Sequence, residues 1–429
     1  MVSQAVKKTR TIQCRRWRLY TFTLVLAGWR HPAFGQTPLT WQQVRDKFEA
    51  VNPTLRAGQI SIEESRAQEI TANLRPNPDM TTTLDQIDPF HGDPYRPLGY
   101  ALPLISASYL HERQHKRELR LESAQKNTAI AISQQDDLKR TLLFNLRGAF
   151  VQTLQAKAVL ALARENLAYW DNVLSVSNDR FKAGDIAQID LDRLELQRVQ
   201  FETDVQTALV NERTAKIQLL ALLNDRTPVE QFDIAGSFDF SEQLMPIQEF
   251  RTLAVASRPD LKAAAQAVDK AQTDHKLAVA NGSTDPTFGV DLGRNPPIPA
   301  YIGFSVTVPL RIFDKNQGEK ARTEADVRRN QRLRDAAEAQ VFSDVDSAYA
   351  TLSNSLTLLR AYKARYLQRA VSVRDTVAFS YKNGGASLLD FLNSQNDYRS
   401  VQLNYLNLIG SYLTAAGQMN LAVGREVIQ

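Results

Sequence analysis

One stretch limits this chain more than any other. Leu310 to Gly424 contains no proline, and its apolar residues keep a helical beat. Val341, Val345, Ala348, Leu352, Leu356, Leu359, Tyr362, Tyr366, Ala370, Val373, Val377 and Tyr381 make 11 steps over 40 residues. That is about 3.6 residues per step, the period of an α-helix. Asn383-Gly384-Gly385 breaks the run with a turn signal, and a second apolar pattern follows to Val423. The spacing predicts one very long helix, a tight turn and a helix running back. At about 1.5 Å per residue the arm from Gln317 to Tyr381 is roughly 100 Å long, more than one globular domain needs.

The same object occurs twice. Leu104 to Thr227 is also proline-free, with Phe181-Lys182-Ala183-Gly184 at its turn. A shift of 200 residues places Phe181 on Tyr381, Lys182 on Lys382, Gly184 on Gly384, Ile189 on Leu389 and Asp190 on Asp390. An internal duplication of long helical hairpins follows.

The chain has 429 residues and a net charge of +5, but the charge is local. Residues 1–35 hold seven Lys/Arg and no acid; without them 45 basic residues face 47 acidic ones, a net of −2. The basic pI is therefore no argument for nucleic-acid binding. The leader reads as a secretory signal peptide: a basic start, a short apolar core from Leu19 to Gly28, and Ala33-Phe34-Gly35 as a small-x-small cleavage site. A disordered basic tail is the alternative. Cys14, the one cysteine, precedes that core, so neither disulfides nor thiol chemistry are expected beyond it. Elsewhere no apolar run is long enough for a transmembrane helix.

After the leader, Thr40 is placed to cap a helix from Trp41 that Asn52-Pro53 interrupts and that resumes to about Leu74. Its copy begins near Pro246, breaks at Arg258-Pro259 and resumes to about Ala280. Period-two alternation marks Thr287 to Leu292 and Tyr301 to Val308 as strands, joined through Asn295-Pro296-Pro297-Ile298-Pro299. The first-half pair is Met80 to Asp88 and Leu98 to Leu104. The expected divisions are a leader at 1–35, a first repeat at 36–226, an interlude at 227–245 with a short strand near Phe232, Ile234 and Phe238, a second repeat at 246–424 and a tail at 425–429.

Four short strands cannot make a self-sufficient sheet, because their open edges are a liability in water and forbidden in a bilayer. Three chains would supply twelve, an even number within the outer-membrane barrel range. A small β-domain capping a helical bundle is the competing reading. The returning helix carries a mostly uncharged stripe: Asn393, Asp397, Ser400, Asn404, Asn407, Ser411, Thr414 and Gln418. Beside it runs an apolar stripe of Tyr398, Val401, Tyr405, Leu408, Tyr412 and Met419. Neutral polar residues suit a water-filled lumen; an ordinary surface is equally compatible with this feature alone.

With these features, Thr40 to Gly424 resembles the TolC family of outer-membrane efflux proteins. The motifs are the proline-broken helices at Pro53 and Pro259, the pairs Pro103-Leu104 and Pro309-Leu310, and the aromatic-x-x-Gly turns at Gly184 and Gly384 with Asp190 and Asp390 six residues on. Ile312-Phe313-Asp314-Lys315-Asn316-Gln317-Gly318 is similar to the subgroup serving heavy-metal exporters, the CzcC type. The resemblance implies a mainly α fold with a membrane β-barrel: paired hairpins forming an α-barrel and four strands per chain completing a trimeric twelve-stranded barrel. It implies a homotrimer in outer-membrane lipid that works with a periplasmic adaptor and an inner-membrane pump as a passive exit duct for small molecules or metal ions, with no cofactor. The tips, with Phe181, Lys182, Gly184, Lys382 and Gly384, would face the adaptor. Asp390 would ring the narrowest point, with Asn393 one turn on; Asp190 and Tyr381 match a closed-state lock whose Arg is here Ala386. Alternatively, Asp390 only caps the returning helix.

His111-Glu112-Arg113-Gln114-His115 fits H-E-x-x-H, which on a helix can bind Zn²⁺. The surrounding Arg113, Lys116, Arg117 and Arg120 favour a solvated basic helix start instead. With no phosphate loop or catalytic triad to argue, an enzyme is not expected. The second hypothesis is a periplasmic coiled-coil structural or adaptor protein without a pore; two hairpins with two proline-bounded strand pairs favour the channel.

Overall fold

The computed structural model describes residues 38–428, apart from 88, 91–93, 95 and 296. The leader, Cys14, His31 and His91 lie outside the described residues, so the signal-peptide expectation is not addressed by the fold.

Helix α1 (Trp41–Val51) starts at a capping box in which the Thr40 amide donates to Gln43 Oε1 (2.9 Å) and the Gln43 amide to Thr40 Oγ1. Asn52 ends α1 and starts α2 (Pro53–Asn73): its side chain accepts from the Leu55 amide at 3.0 Å, while Pro53 sits at the first helical position where no amide is needed. The second copy repeats this joint. Helices α5 (Ile247–Ser257) and α6 (Pro259–Asn281) meet at Arg258, whose buried guanidinium holds both Asp260 oxygens, Asp344 at 2.7 Å and the Ala422 carbonyl.

Each helix pair leads into two strands. β1 (Asp79–Asp85), β2 (Leu102–Leu110), β3 (Thr287–Asn295) and β4 (Ile298–Thr307) form one antiparallel sheet in the order β1-β2-β3-β4. The expected strand limits need correction. The second strand runs not from Leu98 to Leu104 but from Leu102 to Leu110, because its backbone continues pairing with β3 as far as Leu110 with Thr287. Ile105-Ser106-Ala107-Ser108-Tyr109 does alternate with the period of a strand, a signal the expected limit at Leu104 passed over, and the second repeat makes the partner. β1 stops at Asp85, β3 continues to Asn295, and β4 starts at Ile298.

The hairpins follow. α3 (Lys116–Lys182) and α4 (Gln188–Leu222) form the first. α7 (Gln317–Ala361) and α8 (Leu367–Lys382), then α9 (Leu388–Val423), form the second. The second long arm starts at the expected Gln317, and the first starts at Lys116, inside its proline-free stretch. The second arm is interrupted by a π-helical turn at Tyr362–Tyr366, a one-residue adjustment that the mean period of 3.6 conceals. In the interlude, Ile234 makes a single bridge to Leu39 instead of a strand.

α3 forms one long arm, and α7 continued by α8 forms the other. α3 packs on α2 and α6 at one end and on α4 and α9 at the other; α7 packs on α6 and then α9. Two equivalent apolar cores sit midway. One joins Val44 and Phe48 to Leu146, Phe150, Leu219, Phe232 and Ile234; the other joins Phe250 to Val345, Leu352, Leu359, Tyr412 and Met419. Gly424 (φ +91) closes α9 against the Arg258 joint, where an added Cβ would meet backbone at 3.1 Å.

Candidate channel wall and hairpin tips

The sheet has two unlike faces. Cross-strand pairing puts Met80, Leu84, Ile105, Ala107, Tyr109, Phe288, Val290, Leu292, Ile302, Phe304 and Val306 on one side. The other carries Asp79, Thr81, Thr83, Ser106, Ser108, Thr287, Asp291, Ser305 and Thr307. The apolar side is uncovered; Phe304 is 82 % exposed. A water-soluble sheet buries such a face, whereas a barrel wall in lipid presents it outward and keeps the polar one for the lumen. Both edges are open: among the described residues β1 pairs only with β2 and β4 only with β3.

On α9, every member of the neutral stripe from Asn393 to Gln418 is exposed, while Tyr412 and Met419 are buried. The polar surface continues onto α3 and α4, where Gln152, Gln155, Thr207 and Asn211 line, with Asn407 of α9, a cleft of about 590 Å³. Gln155 donates to Asn407 at 2.9 Å and lies over Gly410, where a Cβ would collide with it. The α3 and α4 part of this surface was not foreseen, although Asp204, Thr207, Asn211 and Thr214 recur at helical spacing on α4.

At the tips, Gly184 (φ +82) and Gly384 (φ +76) are left-handed, with open space where a Cβ would be. Backbone conformation, not packing, requires glycine there. Their amides donate to Phe181 O (2.9 Å) and Tyr381 O (3.2 Å), so the two turns are built alike. Lys182 and Lys382 are exposed beside them. Behind the tips a shared core ties the hairpins together. Trp170 donates to the Leu194 carbonyl at 3.0 Å and lies against Phe201 and Phe391, and Tyr381 stacks on Phe391 at 4.9 Å.

The expected gate residues divide into two groups. Asp390 is exposed in the first turn of α9, and its carboxylate closes a capping box with Ser387, accepting from the hydroxyl at 2.7 Å and the amide at 3.2 Å. Asn393 is exposed one turn on. Tyr381 faces elsewhere. Its hydroxyl is buried without a partner, and burial raises its pKa; the guanidinium of Arg180, 5.6 Å from the ring centre, opposes this shift and the Asp190 carboxylate adds to it. Asp190 and Tyr381 are thus neighbours, with Arg180 as the local cation in a chain that has Ala386 where the resemblance implies Arg. Arg180 was missed because it lies on the first hairpin and Tyr381 on the second. A second unforeseen cation, Arg374, lies 4.1 Å from the Tyr398 ring centre.

The H-E-x-x-H segment does not lie on a helix. The His111 amide donates to Pro286 O as β2 ends, Glu112 pairs with Arg120, and His115 is left-handed (φ +55) just before α3. The shared helical face that the zinc reading needs does not exist. Among the described residues no group of three or more His, Cys, Asp and Glu is placed to hold a metal, and no helix is long and apolar enough to cross a membrane.

Residues 251–425 match the outer membrane efflux protein family. The whole chain agrees: it is 23% identical over 399 residues, 90% of each sequence, to the cobalt-zinc-cadmium resistance protein CzcC of Cupriavidus metallidurans. The family's pattern thus covers the second repeat of this chain, from Arg251 to Arg425. The efflux protein shares its fold with CusC (TM-score 0.74, 16% identity, 90% of this chain and 92% of that one). It also shares it with the open MtrE outer membrane channel of Neisseria gonorrhoeae (TM-score 0.72, 17% identity, 90% and 89%). The family match and the efflux relatives point to the outer membrane, with a reach into the periplasm.

Proposed function

We propose that this efflux protein is the outer-membrane exit duct of a tripartite export system, a passive channel of three copies without a catalytic step. The observation that carries it is the four-stranded sheet with an uncovered apolar face, a polar face and two open edges. Three such sheets, edge to edge, leave no free edge and give twelve strands. The helices repeat the argument. Ile189, Leu196, Val210 and Ile217 are exposed at seven-residue multiples along α4, a seam that suits another helix. Leu358, Tyr366, Val373 and Phe379 are exposed on the arm at the opposite edge.

Metal ions are the cargo that the likeness to a cobalt-zinc-cadmium resistance protein supports. The tips, with Phe181, Lys182, Gly184, Lys382 and Gly384, dock a periplasmic adaptor that leads to an inner-membrane pump. Three copies of Asp390, flanked by Asn393, line the narrow end and favour cations. Asp190, Arg180 and Tyr381 tie neighbouring helices behind it. Detergent-purified protein should have about three times the chain mass of 48.2 kDa and conduct ions across planar bilayers. A monomer soluble without detergent overturns the proposal.

A further inference from the structure

The apolar face of the sheet continues where the sheet ends. The last ladder pair of β4 is Thr307 with Thr287. Beyond it, Val308, Leu310 and Ile312 keep the two-residue spacing of Ile302, Phe304 and Val306, the chain turning at Arg311 where the Ile312 amide donates to the Leu310 carbonyl at 3.0 Å, and all three are exposed. Leu310 is 80 % exposed and the following Phe313 89 %, and neither belongs to a buried apolar cluster. Between them Arg311 turns the other way: its Nε is buried, and its charge acts on Asp285 at the start of β3. The segment is anchored at its far end, where Asn316 donates to Ala278 O at 2.7 Å and the Lys315 carbonyl lies against Gly282.

Dimensions say why an extension is needed. From Ile298 to Val306 β4 makes eight steps, about 26 Å at ~3.3 Å each and about 20 Å along the membrane normal at a tilt of roughly 40°. An outward apolar band is about 25 Å tall. The β3–β4 ladder cannot grow at its other end, where it already closes on the pair Asn295 and Ile298. Only the Val308 side remains.

We propose that Val308 to Phe313 is a lipid-embedded collar. Leu310 and Ile312 lie among acyl chains of the leaflet nearest the helices, and Phe313 marks the boundary with the headgroups. Asp314 and Lys315 follow at once with the charge that belongs outside the hydrocarbon. The proposal rests on the outer-membrane placement of the sheet and adds a segment that lies outside every strand.

Because Cys14 is the one cysteine, nitroxide labels can be placed singly in a Cys14→Ser background. Cysteines at Phe304, Leu310, Ile312 and Lys315 are labelled, and the trimer is reconstituted in vesicles of phosphatidylethanolamine and phosphatidylglycerol. Collisions with oxygen and with a water-soluble nickel chelate are then compared, using variants that still conduct ions. Positions 310 and 312 should favour oxygen as 304 does, and 315 should favour nickel. Nickel access at 310 and 312 with lipid access at 304 overturns the collar alone. Shielding from both reagents also overturns it, since a neighbouring copy then covers the segment. Nickel access at 304 overturns the barrel reading together with the collar. As a second measurement, Leu310→Asp with Ile312→Asp should leave the trimer intact in detergent but lower its yield of insertion into vesicles; unchanged insertion counts against the collar.

Discussion

At the scale of single residues, Asp390 carries two roles that substitution can separate. Its carboxylate closes the α9 capping box with Ser387, and its charge stands exposed beside the hairpin tip, where the proposed channel narrows. Asp390→Asn keeps an oxygen for Ser387 and removes the charge. It should lower cation selectivity and weaken divalent block in single-channel recordings while melting changes little. Ser387→Ala keeps the charge and removes the cap, so it should lower stability by about 1 kcal/mol with selectivity unchanged. Reversed outcomes make Asp390 a cap and nothing more. A second carboxylate sets acid tolerance. Asp225, at the end of α4, pairs with Lys47 of α1, and that hydrogen bond, aided by Thr227, lowers its pKa to about 2. The folded protein therefore prefers the charged form more than the unfolded chain does. The resulting stability is present above about pH 4 and is lost as pH falls towards 2. Asp225→Asn should flatten the stability-versus-pH curve in that window, measured by denaturant midpoints; an unchanged slope would show that the pair contributes nothing.

At the scale of elements, the two tips are equivalent turns on unequal helices. α9 begins with a Ser-Asp box, whereas α4 begins at Ala187 with no side-chain cap. Each turn needs a left-handed glycine, and a side chain there costs about 1–2 kcal/mol, more for a β-branched one. The shared core around Trp170 and Phe391 is large enough to hold the hairpins together through such a loss. Gly384→Val should thus leave the trimer in the membrane while export fails, because the distorted turn no longer fits its adaptor. Export that survives the change at both glycines would remove the tips from the docking site.

For the molecule as a whole, closure is the physical demand: open strand edges and an apolar α4 seam must find partners in another copy. Leu196 is the test point, since it is 72 % exposed in the chain and lies on that seam. Leu196→Glu should convert the detergent-purified trimer to monomer with helical content unchanged by circular dichroism. A trimer that tolerates this charge places the seam elsewhere.

Much of this was legible in the sequence because it is local or periodic. The apolar beat from Val341 to Tyr381 determined the long arm, Pro53 and Pro259 determined the paired joints, and Gly184 and Gly384 determined the tips. Each depends on backbone angles or on a 3.6-residue period that a one-dimensional string records. The contacts between distant segments were decided only by tertiary structure. Leu102 to Leu110 became a strand because β3 offered it a ladder almost two hundred residues away in the chain, and the same ladder kept His111 and His115 off a common helix face. Arg180 met Tyr381 because a shared core brought two hairpin tips together. An alternating strand of nine residues, or a lone arginine, carries no mark of the partner it will find. That partner is selected by which edges and faces remain uncovered once the long helices have packed.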